Sequence, residues 1–187
     1  MVSDIEASIL GLICENVSYG YEIEKTIEER NMRQWTEIGF SSIYYVLKRL
    51  EKQGQIKSST ETIQGRARKI YKVTPEGKRE MKNKVIDLLN HYQSIISPLD
   101  MGIAFMNQTT EEEAKEALGF YLRSIEDRKA SLEARLDVIE RSDWPYQIKE
   151  LCIRPLMLLK IERAWALGFI ESIKEHERDK EERKGDA

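Results

Sequence analysis

Apolar residues recur along this chain at helical spacing, interrupted once by a stretch of two-residue alternation. Ile5, Ile9, Leu12 and Ile13 line one face of a first helix, for which Ser3 or Asp4 is a natural N-cap. A second, short helix begins after a break at Gly20, with Tyr21, Ile23 and Ile27 as its apolar positions and acids on its outer face. The connector NMRQWTEIGF leads to SSIYYVLKRLEKQG. There Ser41 or Ser42 caps a third helix, Ile43, Val46, Leu47 and Leu50 form one buried stripe, and Gly54 fits the residue that stops it. Next, QIKSSTETI and KIYKV flank a polar turn at Gln64-Gly65 and read as a hairpin, with Tyr71 and Val73 on one face and Ile70 and Lys72 on the other. TPEGKREM opens a fourth helix with Thr74 as N-cap and Pro75 at its first position, continuing to about Ser94 with Met81, Val85, Leu88, Leu89 and Tyr92 on one side.

Pro98 ends that helix, and a short apolar piece, PLDMGIAFMNQ, leads into TTEEEAKEAL, a helix start capped by Thr109 or Thr110 with acids at the positive end of the helix dipole. From Thr110 to about Arg141, Leu118, Leu122, Ile125, Lys129, Leu132, Leu136 and Ile139 alternate spacings of four and three, the seam of a coiled coil. After Pro145 a second long helix repeats the pattern through Ile148, Leu151 or Cys152, Leu158 or Leu159, Glu162, Trp165 or Ala166, Phe169 and Ile173, and Pro155 is expected to bend it. Two seams on consecutive helices predict an antiparallel hairpin that also packs on another chain. Lys129 and Glu162 interrupt the seams; they either pair and set its register or reach out to solvent. The charge run HERDKEERKGDA reads as a fraying end and a tail.

Composition adds little until it is divided by region. The 187 residues carry a net charge of −3, with 41% hydrophobic and 34% charged residues and only four prolines, as in a highly helical globular protein. Yet residues 1–32 hold two basic and seven acidic residues, while residues 33–72 hold nine basic ones (Arg33, Lys48, Arg49, Lys52, Lys57, Arg66, Arg68, Lys69 and Lys72) and three acidic. A local basic patch is what a polyanion meets, whatever the average. The expectation is that these nine cations form one exposed ridge. No apolar run approaches the roughly 20 residues of a membrane span. The N-terminus starts with acids and lacks the basic flank of a signal peptide, so a cytoplasmic location is expected. Cys14, Cys152, His91 and His176 are too far apart for a metal motif, and no cofactor is expected. No catalytic motif is present, so the chain is not read as an enzyme.

The predicted fold class is mainly α: an N-terminal winged helix-turn-helix with a two-stranded wing, and a C-terminal antiparallel helical dimerisation domain. The expected divisions are 1–96 for DNA binding, 97–108 as a linker or short helix, 109–180 for dimerisation, and 181–187 as a disordered tail. A helix fills the major groove and presents its N-terminal residues to base edges, while a hairpin beside it can set arginines on phosphates or in the minor groove. The residues expected to meet DNA are Ser41, Ser42, Tyr44, Tyr45, Lys48 and Arg49 on the third helix, and Lys57, Gln64, Arg66, Arg68 and Lys69 on the wing.

The stretches ILGLICENVSYGYEIEKTIEE, SSIYYVLKRLEKQGQI and RARKIYKVTPEGKREM together resemble the PadR family of transcriptional regulators over roughly residues 5–80. That family's pattern has an ILGLL helix, a GYE or GYD step, a helix starting TLYP and ending LE-x-x-G, and an R-x-R-K-x-Y-x-L-T-x-x-G wing. Two departures stand at the end that faces DNA: IYYVL where LYPLL is common, and TEIGF before the third helix, although Trp35 keeps the aromatic. The resemblance implies a homodimeric regulator, usually a repressor, acting on a palindromic operator in double-stranded DNA and often released by a small ligand. Trp35, Tyr92, Trp144 and Trp165 are the candidates for lining an aromatic effector pocket, although aromatics at helical spacing are more often core than cavity. The alternative function is a winged-helix adaptor that binds partner proteins and not DNA; the basic wing argues against it.

Overall fold

The computed structural model describes residues 2–39, 42–63, 66–94 and 96–185, and of Ile63, Arg66, Glu181, Lys184 and Gly185 only the backbone. Ser41, one of the two expected helix caps, and the Gln64-Gly65 turn lie outside the described residues. The chain divides into two compact units, Met1–Ser94 and Ile95–Ala187.

In the first unit, α1 (Asp4–Cys14) begins at Ser3, whose hydroxyl accepts the Glu6 N–H while the Glu6 carboxylate accepts the Ser3 N–H. This reciprocal cap satisfies two of the donors a helix leaves open. Helix α2 (Gly20–Glu29) buries Ile23 and Ile27 completely, but Tyr21 is exposed: it falls on the side turned away from α1 and α3. A 3-10 turn, Met32–Gln34, seats Met32 in the core, and α3 (Ser42–Lys52) follows with the expected stripe Ile43, Val46, Leu47 and Leu50 buried. Gly54, at φ +73°, ends it.

Strands β1 (Ile56–Ile63) and β2 (Arg66–Val73) pair antiparallel, from Ile56 opposite Val73 to Ile63 opposite Arg66. The sequence reading alternated Ile70 and Tyr71 between an inner and an outer face, yet both are buried. Tyr71 joins the main core, and its N–H reaches across to the Ser18 carbonyl at 2.6 Å, so the second strand is covered from its open edge as well.

Helix α4 (Pro75–Asn90) is capped by Thr74, with Pro75 at its first position. The Thr74 hydroxyl lies 2.7 Å from the Gly54 carbonyl and 3.0 Å from that of Gln55, and the Thr74 N–H donates to Gln55 as well. Gly77 lies so close that a Cβ there would meet the Gln55 carbonyl oxygen at 2.1 Å. Met81 covers Gly11 of α1, and Lys84 reaches Asp4 at 2.7 Å. The helix ends at Asn90, earlier than expected, and Leu89 and Tyr92 are exposed.

In the second unit Pro98 opens a helix in place of ending one. Helix α5 (Pro98–Ala104) takes Ser97 as its cap, and α6 (Glu111–Glu140) takes Thr110, with Glu113 closing a second reciprocal cap. Helix α7 (Glu150–Gly185) runs continuously through Pro155 and on past Lys180, over the charged end read as a tail. The buried positions of α6 are Ala114, Leu118, Ile125, Leu132 and Ile139, and on α7 Cys152, Ala166 and Ile173 answer them, with Leu159 completing the heptad series. Leu118 packs with Ile173 near one end and Ile139 with Cys152 at the other, so the hairpin is antiparallel. Lys129 and Glu162 do not pair within the chain. Lys129 lies 3.8 Å from both Glu126 and Glu133 of its own helix, and Glu162 accepts the Tyr121 hydroxyl at 2.9 Å. Ion pairs between the helices include Lys115 with Glu177, Arg163 with Glu126 and Lys180 with Glu111.

Candidate nucleic-acid interface

Burying one stripe of α3 determines which residues it turns outward. Tyr44, Tyr45, Lys48, Arg49 and Lys52 are exposed, with Ser42 half-buried at the start. Tyr45, 66% exposed, has no hydrogen-bond or ring partner among the described residues. Tyr44 is different: its ring lies against the backbone at Gly20, where a Cβ would come within 2.7 Å of Cε1. The Ser42 hydroxyl donates to the Gly39 carbonyl at 2.6 Å, leaving its lone pairs to accept. Arg49 is drawn back to α1. Its Nε sits 2.8 Å from Glu6 Oε1, an ion-pair contact off the line of a hydrogen bond, and Glu6 is only 3% exposed.

On the wing, Lys57 is exposed and stands opposite Lys72, which reaches Glu61 at 3.7 Å. Arg68 lays its guanidinium over the Tyr19 ring, 4.8 Å from the centroid. Lys69 is bound to Glu51 at 2.7 Å, and the Ser58 hydroxyl donates to the other oxygen of the same carboxylate. Lys69, together with Ser58, holds the Glu51 carboxyl below the usual range, and Glu51 in turn raises the Lys69 ammonium. Gln64 lies outside the described residues, as does the Arg66 side chain; the Arg66 backbone pairs with Ile63 next to the turn.

The nine cations therefore do not form a single unbroken ridge. Arg33 pairs with Glu24 at 2.7 Å and donates to the Ile38 carbonyl, so it holds the connector to α2. Arg49, Lys69 and Lys72 also have acidic partners from α1, α3 and β1. Lys48 and Lys52 on α3 and Lys57 on the wing are exposed and have none among the described residues; Tyr45 is exposed too, while Arg68 is half-buried. Glu6, Ser18, Tyr19 and Glu51, which contact residues of α3 and the wing, were missed from the sequence. The one available signal was an acid, Glu51, set inside a basic segment.

The four aromatic pocket candidates do not gather within either unit. Trp35 follows the 3-10 turn, half-exposed, and Tyr92 lies beyond α4 at 92% exposure. Trp165 stacks on Phe169 at 5.5 Å and meets the edge of Tyr121 at 6.5 Å, while Trp144 lies apart in the connection after α6. Burial and the Glu162 carboxylate push the Tyr121 hydroxyl up to about 12. No group of three or more metal-ligating side chains occurs among the described residues, and no helix there is long and apolar enough to cross a membrane.

Residues 9–83, the helices and wing just described, match the transcriptional regulator PadR-like family. Through this segment the chain is similar to the members of that family. PadR-like proteins are regulators of transcription and not enzymes. The crystal structure of Bacillus subtilis PadR with operator DNA is similar over 91% of this chain and 99% of that one, at 22% identity and a TM-score of 0.73. The same protein with p-coumaric acid gives 20% identity, coverage of 91% and 98%, and a TM-score of 0.73. A PadR-like regulator from Bacillus cereus is 20% identical, with coverage of 96% and 99% and a TM-score of 0.57. At these identities the likeness is one of fold, extending through the C-terminal helices. No curated protein sequence matches the chain.

Proposed function

We propose that this PadR-like regulator is a homodimeric repressor that recognises a palindromic operator in double-stranded DNA and releases it on binding a small aromatic ligand. The observation that carries the reading is the outward face of α3 and the wing. Tyr45, Lys48, Lys52 and Lys57 are exposed there without acidic partners among the described residues, on a helix whose rotation the buried stripe determines. A helix so held can enter the major groove with Ser42 and Tyr45 toward base edges, while the lysines neutralise phosphate. The complex of Bacillus subtilis PadR with operator DNA supports this use of the fold.

Dimerisation is supported by α7. Leu151, Met157, Leu158 and Ile161 are exposed on the side of α7 turned away from its contact with α6. An apolar stripe of that kind suits a second copy, and a two-fold dimer would read two half-sites about 34–36 Å apart. The p-coumaric acid complex of Bacillus subtilis PadR supports a phenolic ligand as the first class to try. A regulator of this kind works where the chromosome is, in the cytoplasm.

Selection of bound sequences from a random duplex pool tests the reading. The expected result is a palindrome with two half-sites one helical turn apart. Affinity for the selected duplex should fall steeply with salt, each neutralised phosphate adding about −0.9 to the log–log slope. Recovery of no preferred sequence, together with a flat salt dependence, would mean that the surface binds something other than DNA.

A further inference from the structure

Glu51 is the one acid on α3, the helix that the proposed function sets against DNA phosphates. A carboxylate at such a place repels the proposed ligand, so its presence calls for a compensating role. Its surroundings suggest one. One oxygen accepts the Ser58 hydroxyl of β1, and the other lies 2.7 Å from the Lys69 ammonium of β2.

The register puts Ser58 opposite Tyr71 and Thr60 opposite Lys69, so Ser58 and Lys69 share one face of the hairpin on neighbouring strands. A single helix side chain thus grips both strands at once. Between them lies buried Tyr71, with the Lys69 ammonium 5.3 Å from its ring. At the base of the wing Ile56 is fully buried, and the Tyr71 N–H is held by Ser18. Beyond Lys69 the two strands run on to the turn, and there Arg68 against Tyr19 is the one attachment to the helices among the described residues.

We infer that Glu51 is a positioning residue of the interface: by holding Ser58 and Lys69 together it sets the angle between the recognition helix and the wing. This rests on the DNA-binding reading proposed above. The cost is one carboxylate beside phosphate. The gain is a wing and a helix that meet the duplex already aligned, without ordering the wing during binding. Lys69 on this account is a strut and not a phosphate contact.

The sign of the effect separates this role from plain electrostatics. Glu51→Gln removes one negative charge from the surface and leaves its shape. If Glu51 only repels DNA, the variant binds more tightly. If it positions the wing, the variant binds the selected duplex at least tenfold more weakly, while its binding to random duplex at low salt is kept or increased. The released Lys69 then reaches phosphate, and the log–log salt slope steepens by about 0.9. The double variant Glu51→Lys with Lys69→Glu keeps the net charge and re-forms the pair in reverse; it should recover most of the preference for the selected duplex.

Amide hydrogen exchange on the full chain without DNA gives an independent reading. In Glu51→Gln the hairpin amides should exchange at least threefold faster, with those of α6 and α7 unchanged. Equal or tighter binding by Glu51→Gln, or unchanged hairpin exchange, overturns the inference. Failure of the parent chain to bind any duplex would instead overturn the DNA-binding reading, and hairpin exchange would then judge the Glu51 tie alone.

Discussion

Gly77 shows how one residue can hold two elements together. Thr74 caps α4 and binds the Gly54 and Gln55 carbonyls, which brings the end of α3 against the first turn of α4. Only a residue without Cβ fits there, because an added methyl would sit 2.1 Å from the Gln55 oxygen. The neighbour is backbone and cannot turn aside. Gly77→Ala is therefore expected to destabilise the first unit by about 1–3 kcal/mol, the range of an overpacked core, measured by urea unfolding. Tyr121 offers a second check at this scale. Its hydroxyl titrates near 12, so the neutral form is favoured in the folded chain. Its contribution is complete below the ordinary tyrosine value of about 10 and is lost as pH rises toward the folded one. Among the eight tyrosines, one should ionise late in a spectroscopic titration, and Glu162→Gln should bring it lower.

The wing and the helical hairpin carry the predictions that belong to elements. Arg66 and Arg68 stand beside the turn, and Arg68 is held over Tyr19. Changing both to Ala should weaken all duplexes about evenly and flatten the log–log salt slope by about 0.9 for each phosphate left without its cation. Changing Tyr45 to Ala should instead alter which sequence is preferred. In the hairpin, Leu132 is buried midway along α6, in the cluster with Ile139 and Cys152. Leu132→Ala should cost the second unit about 2–5 kcal/mol, seen in its unfolding transition. The heptad spacing made these two helices legible, because a 3.5-residue repeat leaves a long apolar seam. The partners of Lys129 and Glu162 were not legible. A charge on a seam can turn to its own helix, and Lys129 did so, between Glu126 and Glu133.

At the scale of the whole molecule the question is where a second copy would dock. Ile161, 67% exposed on α7, lies in the middle of the apolar stripe with Leu158. Ile161→Asp should leave α6 against α7 undisturbed, since it points away from Ala166 and Leu159. The parent should sediment as a dimer at micromolar concentration and the variant as a monomer. Operator affinity should fall with it, because one winged helix would then contact one half-site. A variant that remains dimeric would show that the two copies meet elsewhere.

What the amino-acid order determined by itself was the periodic part of this protein: the buried stripe of α3, the cap at Thr74, the pairing of two strands in a hairpin, and the heptads of α6 and α7, while between Ser3 and Asp4 and between Thr109 and Thr110 the folded chain chose the cap. Each of these depends on residues a few positions apart, whose relative placement the backbone repeat dictates. Tertiary structure alone decided where the charges went. Arg49 met Glu6, Lys69 met Glu51 and Arg68 met Tyr19, across separations of many residues and between different elements. Periodicity shows that a side chain faces outward; only the folded chain brings up the distant group that it meets there.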